Sequence, residues 1–207
     1  LRDSLAAAKG MPKMGIIITL GERRDAEAVP LITPMLTDTD PNMVRAAAGA
    51  LGRIATPDSV KALMDFRGTA PEAVRPAVAE GLLAAGQRFI SEGQQKELAL
   101  SICQALLDPT WPEYIRTGAF REQIEAAPEQ AQDRLMEALK GDVVIYREMA
   151  AQVIAETTGS ELTKRFATAL PALPVEGQAA LLRGLAARGD ALAYPAVAQA
   201  IKSPAPP

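Results

Sequence analysis

Few residues of this sequence could do chemistry. The sequence contains no histidine, which excludes Ser-His-Asp and Cys-His nucleophile systems and zinc or iron sites with histidine ligands. Its one cysteine, Cys103, can form neither an internal disulfide nor a thiolate cluster, and its apolar neighbours predict a buried thiol. We therefore expect no metal, no cofactor and no enzymatic activity.

A group of carboxylates over residues 122–137 is the remaining candidate for acid–base chemistry. Such chemistry would need one carboxyl group that is buried and has a raised pKa. The helical spacing of these residues and the arginines among them instead predict a solvated, ion-paired face. The residues are Glu122, Glu125, Glu129, Asp133 and Glu137, with Arg121 and Arg134.

Four arginines recur near the start of successive predicted helices: Arg45, Arg75, Arg116 and Arg147. One interpretation is a basic row that binds phosphates or an acidic partner. We favour a structural role, because a guanidinium group can bridge to an acidic side chain or a turn carbonyl of an adjacent unit. Asp25 and Asp190 also occupy matching repeat positions, and we interpret them as helix caps.

Trp111 and Tyr114 form a candidate partner-binding site. Trp111 is the only tryptophan of the chain and lies in an irregular loop, with Tyr114 three residues later. Tryptophan is enriched at binding hot spots, which favours contact with a partner. Trp111 could also fill a gap where the spacing between repeats changes, and we prefer this second interpretation.

The elements that position these residues follow from an internal repeat. Residues 20–32 align with residues 185–197 and share Leu, Arg, Asp, Ala and Pro, at an offset that equals five periods of about 33 residues. A second pattern relates residues 41–47 to residues 71–77. Each repeat predicts two helices, and the short connections make neighbouring helices antiparallel.

We therefore expect an all-α chain of about six helix pairs after a leading helix over residues 1–9. The first helices are apolar on most sides, so that each pair must stack on its neighbours to bury them. The predicted first helices span 11–22, 41–55, 71–89, 112–126, 142–157 and 175–188. The predicted second helices span 25–37, 57–67, 91–107, 129–140, 160–170 and 190–202.

The run from Asp40-Pro41 through Val44-Arg45-Ala46-Ala47-Ala48 to Ala50-Leu51-Gly52-Arg53-Ile54 resembles a HEAT repeat of the short bacterial, phycobilisome-lyase-like type. The resemblance is good over 41–67, fair over 14–37, 71–83 and 142–202, and poor over 84–140. It implies a right-handed α-α superhelix, an armadillo-type α-solenoid that holds protein partners. Some HEAT relatives are enzymes, but the di-iron hydroxylases among them need His-Glu pairs.

Charge and hydropathy narrow the possible partners. The net charge of −3 and the isoelectric point of about 5.2 favour neither nucleic acid nor an anionic membrane, and we expect no nucleic-acid partner. No stretch approaches the roughly 18 apolar residues of a membrane helix, so we expect no membrane insertion.

These observations predict a non-catalytic protein–protein interaction or scaffold module. The expected partner is another protein or a flanking domain of the same chain. The alternatives are a DNA-binding or glycosylase-like enzyme on a HEAT scaffold, and a passive spacer between domains. We expect one domain over residues 1–202 and a Pro-rich tail or linker over residues 203–207.

The chain begins with Leu1 and not with methionine, so we expect a segment of a larger protein. Cytoplasmic and exported locations both stay open, as does the oligomeric state.

Overall fold

Proline and small polar residues mark the starts of the helices. Helix α4 (Pro41–Ile54) has Pro41 at its first position, and the Asp40 carboxylate accepts a hydrogen bond from the Asn42 amide at 2.9 Å. Helix α5 (Pro57–Arg67) begins with a capping box between Thr56 and Ser59. Both starts were predicted from the sequence.

A computed structural model describes residues 1–157 and 159–202. Over these residues the regular secondary structure is α-helical with short 3-10 segments, and the described chain contains no β-strand. The all-α prediction is therefore confirmed. The other α-helices are α1 (Arg2–Ala7), α2 (Gly10–Glu22), α3 (Val29–Ile32), α6 (Arg75–Ser91), α7 (Lys96–Leu106), α8 (Glu113–Ala126), α9 (Ala131–Lys140), α10 (Val144–Glu156), α11 (Ser160–Ala169), α12 (Val175–Arg188) and α13 (Tyr194–Lys202).

Several predicted helices differ from the observed ones. The helix predicted over residues 25–37 consists of the short α3 between two 3-10 segments, Ala26–Ala28 and Thr33–Thr37, and the helices predicted over 129–140 and 190–202 begin with the 3-10 segments Pro128–Gln130 and Ala191–Ala193. Helix α6 begins at Arg75 and not at residue 71, because residues 71–74 form a turn in which the amides of Val74 and Arg75 both bond to the Pro71 carbonyl. Helix α7 begins at Lys96 and not at residue 91. Helix α6 runs on to Ser91, and the turn after it contains Gly93 and Gln95 with positive φ angles of 64° and 50°.

The chain divides into two compact units, Leu1–Ala126 and Ala127–Pro207. In the first unit, the first helices of successive pairs (α2, α4, α6 and α8) contact one another in chain order. Helix α5 packs on α4 and α6, and α7 packs on α6 and α8. The helices thus pack in neighbouring pairs, as a solenoid requires.

The second unit repeats this pattern. Helix α10 packs along α12, and α9 contacts both of them. Helix α11 contacts α12 and α13. The right-handed superhelix and the single domain over residues 1–202 stay predictions, and the predicted tail over residues 203–207 lies outside the described residues.

Small residues let the first helices approach closely. A Cβ atom added to Gly81 would lie 2.7 Å from the Ala48 carbonyl oxygen, and one added to Gly184 would lie 2.7 Å from that of Ala151. Gly21 is placed in the same way against Ala50. Alanine and glycine at these crossings leave room for the two helix backbones to approach.

Candidate functional site

An open groove with a volume of about 420 Å³ lies within residues 36–74 of the first unit. Its walls come from the end of the Thr33–Thr37 3-10 segment, the start of α4, the end of α5 and the loop before α6. The apolar part of the lining includes Leu36, Val44, Phe66 and Val74. This volume is within the range of known ligand pockets.

The polar groups of the groove are held by nearby backbone. The Thr37 hydroxyl donates to the Pro34 carbonyl at 3.1 Å, and the Thr69 hydroxyl donates to the Phe66 carbonyl at 3.2 Å. The Asp38 carboxylate accepts from the Asp40 amide at 2.9 Å. The groove therefore has an apolar floor, in which Leu36, Val44 and Val74 are buried, and exposed threonine hydroxyl groups above it.

Arg45 links α4 to the loop before α6, two segments that line this groove. Its Nη2 donates to the Ala73 carbonyl at 2.8 Å, in the loop before the next first helix, and its Nη1 donates to Asn42 Oδ1 at 3.1 Å. This is the bridge to a turn carbonyl of an adjacent unit that we expected for the repeated arginines. It fixes the distance between α4 and the loop that carries Ala73.

The other three repeated arginines are not equivalent to Arg45. Arg147 donates to the Gly141 carbonyl, which lies in the turn before its own helix. Arg75 is exposed, and Arg116 is half-buried with an Nε atom that has no hydrogen-bond partner among the described residues. The shared sequence position thus leads to four different environments.

A second set of arginines, which sequence reasoning missed, links the ends of the first helices. Arg88 Nη1 donates to the carbonyls of Arg53 and Ile54, both at 3.0 Å, and Arg188 Nη1 donates to the Ile154 carbonyl at 3.1 Å. Arg53 pairs with Glu22 at 3.0 Å. The sequence feature that could have indicated this set is its spacing, since Arg88 and Arg188 lie three periods of about 33 residues apart.

These contacts suit the last turn of a helix. The last carbonyls of an α-helix have no partner within the helix and carry partial negative charge. An arginine from the next first helix supplies both the donors and the positive charge. Successive first helices are therefore held in register at their C-terminal ends as well as by packing.

The sequence that builds these crossings matches a family model described as HEAT repeats over residues 5–83. Residues 5–83 are therefore similar to HEAT repeats, and the match covers less than half of the chain. The match confirms the predicted resemblance for this part of the chain, and the groove at residues 36–74 lies inside it. No curated protein matches the chain.

Among solved structures, human deoxyhypusine hydroxylase in complex with glycerol is similar to this chain. The sequence identity is 20% and the TM-score is 0.37, over 92% of this chain and 73% of that chain.

Within the part of the chain that the structure describes, no group of three or more Cys, Asp and Glu side chains is arranged to hold a metal ion. The same described residues include no helix that is long and apolar enough to cross a membrane.

Asp25 and Asp190 have different roles despite their matching positions. Asp190 Oδ1 accepts from the Leu192 amide at 3.0 Å, as predicted for a cap, and Oδ2 accepts from the Thr163 hydroxyl at 2.7 Å. The Thr163 hydrogen bond is the main cause that holds the pKa of Asp190 below its usual value. The cap prediction for Asp25 is wrong: its side chain makes no cap bond and pairs with Arg2 at 3.1 Å.

The structure separates Trp111 from Tyr114, outside the HEAT segment. Trp111 is 7% exposed in the core of the first unit, and its Nε1 donates to the Ala105 carbonyl at 3.1 Å. Tyr114 is 53% exposed, and its hydroxyl donates to Glu80 Oε1 at 3.0 Å. Trp111 thus fills space between helices, and of the two only Tyr114 offers a ring to solvent.

The prediction of a solvated carboxylate face is wrong for Glu122. This residue is 6% exposed, and its Oε2 is buried with no hydrogen-bond partner among the described residues. A Cβ atom at Gly86 of α6 would lie 2.5 Å from that oxygen. Desolvation, with a smaller effect of the Glu125 charge, raises the pKa of Glu122 to about 8.

Glu122 is consequently a protonated carboxyl group near neutral pH. It lies against the backbone of α6 and is not among the residues that line the groove. The burial of Glu122 could not be predicted from the sequence, because the residues that exclude water from its carboxyl group belong to another helix pair.

Proposed function

We propose that this chain is a non-catalytic HEAT-type interaction module that binds an extended segment of another protein, or of a flanking domain of its own chain, in the groove at residues 36–74. The observation that carries the proposal is the lining of the groove. Exposed threonine hydroxyl groups lie beside apolar side chains in this lining and still have lone pairs to accept hydrogen bonds from a peptide backbone. A segment that inserts one apolar side chain fits this chemistry.

The surroundings of the groove support a protein partner. Leu36 and Val44 are buried in the lining of the groove, whereas Thr37, Thr39 and Thr69 of the same lining are exposed. An apolar centre with a polar, solvent-accessible rim is the usual anatomy of a protein–protein interface. Arg45 adds rigidity, since it holds the groove wall at the Ala73 carbonyl before any partner binds.

The proposal can be tested by site-specific photo-crosslinking in cells. A photoreactive residue at Thr69, on the groove, should crosslink a defined protein, whereas the same residue at Ala84, an exposed position of α6, should not. The captured protein is then purified, and its binding to the isolated chain is measured by calorimetry.

Thr69→Arg, which places a long charged side chain in the groove, should weaken that binding at least about tenfold, or about 1.4 kcal/mol. Ala84→Arg is the matched control and should leave the affinity unchanged. Equal affinity of the two variants would overturn the proposal. Salt-sensitive binding of DNA would favour the nucleic-acid alternative, and the absence of any groove-specific crosslink would favour a passive spacer.

A further inference from the structure

Among the described residues that line the groove at residues 36–74, only Asp38 has a charged side chain. Asp38 is half-buried, and its Oδ1 accepts from the Asp40 amide at 2.9 Å. No basic side chain of the described residues pairs with it. Because an ionised carboxylate has several lone pairs on its two oxygens, Asp38 can still accept hydrogen bonds from a ligand.

The threonines of the lining add further hydrogen-bond acceptors. The hydroxyl groups of Thr37 and Thr69 each use their one hydrogen in a bond to a backbone carbonyl, so they offer only lone pairs to a ligand. Thr39, the remaining polar residue of the lining, is exposed and uncharged. The groove thus matches a ligand that is rich in donors, and a proline-rich segment matches it poorly because proline has no backbone N–H.

The chain around Asp38 is acidic. No lysine or arginine occurs over residues 25–44, a stretch that includes both Asp38 and Asp40. Arg45, which follows this stretch, has Nη1 and Nη2 bonded to other groups. Glu72, in the loop before α6, is exposed. A positively charged group in the groove would therefore meet a carboxylate that has no basic partner among the described residues, whereas a negatively charged group would be repelled.

We infer that the segment bound in this groove carries a lysine or an arginine next to its apolar residue, and that Asp38 pairs with this basic side chain. The inference rests on the proposed function, because it specifies the segment that the groove binds. Lysine and arginine have apolar stems and heads that only donate hydrogen bonds. The stem suits the apolar lining at Phe66, and the head suits the Asp38 carboxylate. Asp38 is thus a residue that determines specificity.

Selection of peptides displayed on phage tests the inference with a defined probe. Random short peptides are selected on the whole chain, and peptides that also bind Thr69→Trp are removed, because this variant blocks the groove without adding charge. The remaining peptides should share an apolar residue with an adjacent lysine or arginine. Selection on Asp38→Asn should keep the apolar residue and lose the basic one, since asparagine retains the Oδ1 acceptor for the Asp40 amide but has no charge.

Binding of the most enriched peptide gives the quantitative test. Fluorescence anisotropy should show that Asp38→Asn weakens binding about threefold to tenfold, and that salt weakens binding to the unmodified chain more than to the variant. The same peptide with glutamate in place of its basic residue should bind Asp38→Lys more tightly than it binds the unmodified chain. Glu97→Gln on the exposed surface of α7 removes one negative charge outside the lining and should keep the unmodified affinity. Circular dichroism verifies that every variant keeps its helical content.

The results separate this inference from the proposed function. Groove-dependent peptides that share an apolar residue but no basic one overturn the inference alone, as does equal affinity of Asp38→Asn and Glu97→Gln for the enriched peptide. Failure of Asp38→Lys to improve binding of the glutamate peptide also overturns it, since a direct pair should tolerate exchange of its charges. If Thr69→Trp binds every selected peptide, the groove binds no segment, and the proposed function is overturned together with the inference.

Discussion

The guanidinium of Arg88 lies 3.0 Å from the carbonyl oxygen of Ile54, the last residue of α4. Arg188 makes the corresponding bond to Ile154 at 3.1 Å, 34 residues earlier in the chain in both cases. A side chain on one first helix thus completes the hydrogen bonding of the preceding one. This arginine-to-carbonyl hydrogen bond between successive first helices is found in both units, so it is a polar contact that repeats along the chain.

Replacement of Arg88 by methionine should destabilise the first unit. The carbonyls of Arg53 and Ile54 would lose a charged donor, which should lower the free energy of unfolding by about 1–3 kcal/mol. Urea denaturation followed by Trp111 fluorescence reports on this unit. Arg75→Met, at an exposed arginine, is the control and should change the value by less than about 0.5 kcal/mol. Similar losses in the two variants would contradict the structural role of Arg88.

Two glycine-to-alanine substitutions should have opposite effects. A Cβ atom at Gly52 would collide with the backbone of Gly81, so Gly52→Ala should push α4 and α6 apart and cost about 1–3 kcal/mol. Gly15→Ala meets open space within a helix and should stabilise the first unit by about 0.5–1 kcal/mol. Thermal unfolding at low concentration measures both. A stabilised Gly52→Ala variant would show that the helices do not cross at this point.

The stability of the first unit should fall as the pH rises from about 5 to about 8. The pKa of Glu122 is about 8 in the folded chain and near the ordinary glutamate value of 4.5 when unfolded, so the folded state binds the extra proton in this window. The free energy of unfolding should then fall by at most about 1.4 kcal/mol per pH unit from this group.

Glu122→Gln should flatten this pH dependence, because the amide does not ionise. At pH 8.5 the variant should exceed the unmodified chain in stability by on the order of 1 kcal/mol or more. Glu72→Gln, at an exposed loop position, is the matched control and should keep the original slope. An unchanged slope in Glu122→Gln would mean that this carboxyl group ionises at its ordinary pKa.

Alanine substitution of Trp111 should lower the free energy of unfolding much more than alanine substitution of Tyr114. Trp111→Ala leaves a cavity in the core of the first unit and should cost about 3–5 kcal/mol. Tyr114→Ala removes an exposed ring and one bond to Glu80, and should cost less than about 1.5 kcal/mol. Urea denaturation followed by circular dichroism measures both. Comparable small losses would indicate that Trp111 is not a core residue.

Most helix starts and ends could be predicted from the sequence, because their signals act within one helical turn. Asp40 before Pro41, and Thr56 before Pro57, cap their helices as their residue types predict. The cap prediction fails for Asp25, because its carboxylate pairs with Arg2 of another helix and makes no cap hydrogen bond. The turn over residues 71–74 is a second case, since a proline at a helix start also suits a turn.

The groove could not have been predicted, because it is formed between segments rather than within one. Leu36, Phe66 and Val74 belong to three different elements, and no local pattern indicates that they surround a common space. The four repeated arginines were visible in the sequence, but their environments depend on which backbone carbonyl lies within reach. Within the described residues, Arg45 bonds to a carbonyl of the next repeat, whereas Arg147 bonds to the turn before its own helix.

The amino-acid sequence by itself indicated most of the helices, their pairing and the resemblance to HEAT repeats that the family model matches over residues 5–83, because caps, apolar periodicity and repeat spacing are local properties of the chain. Only the tertiary structure decided that Trp111 is buried while Tyr114 is exposed, that Glu122 is desolvated and that Arg88 reaches Ile54. The physical reason is that burial and hydrogen bonding of a side chain depend on neighbours about one repeat away, whose approach is set by the packing of whole helices.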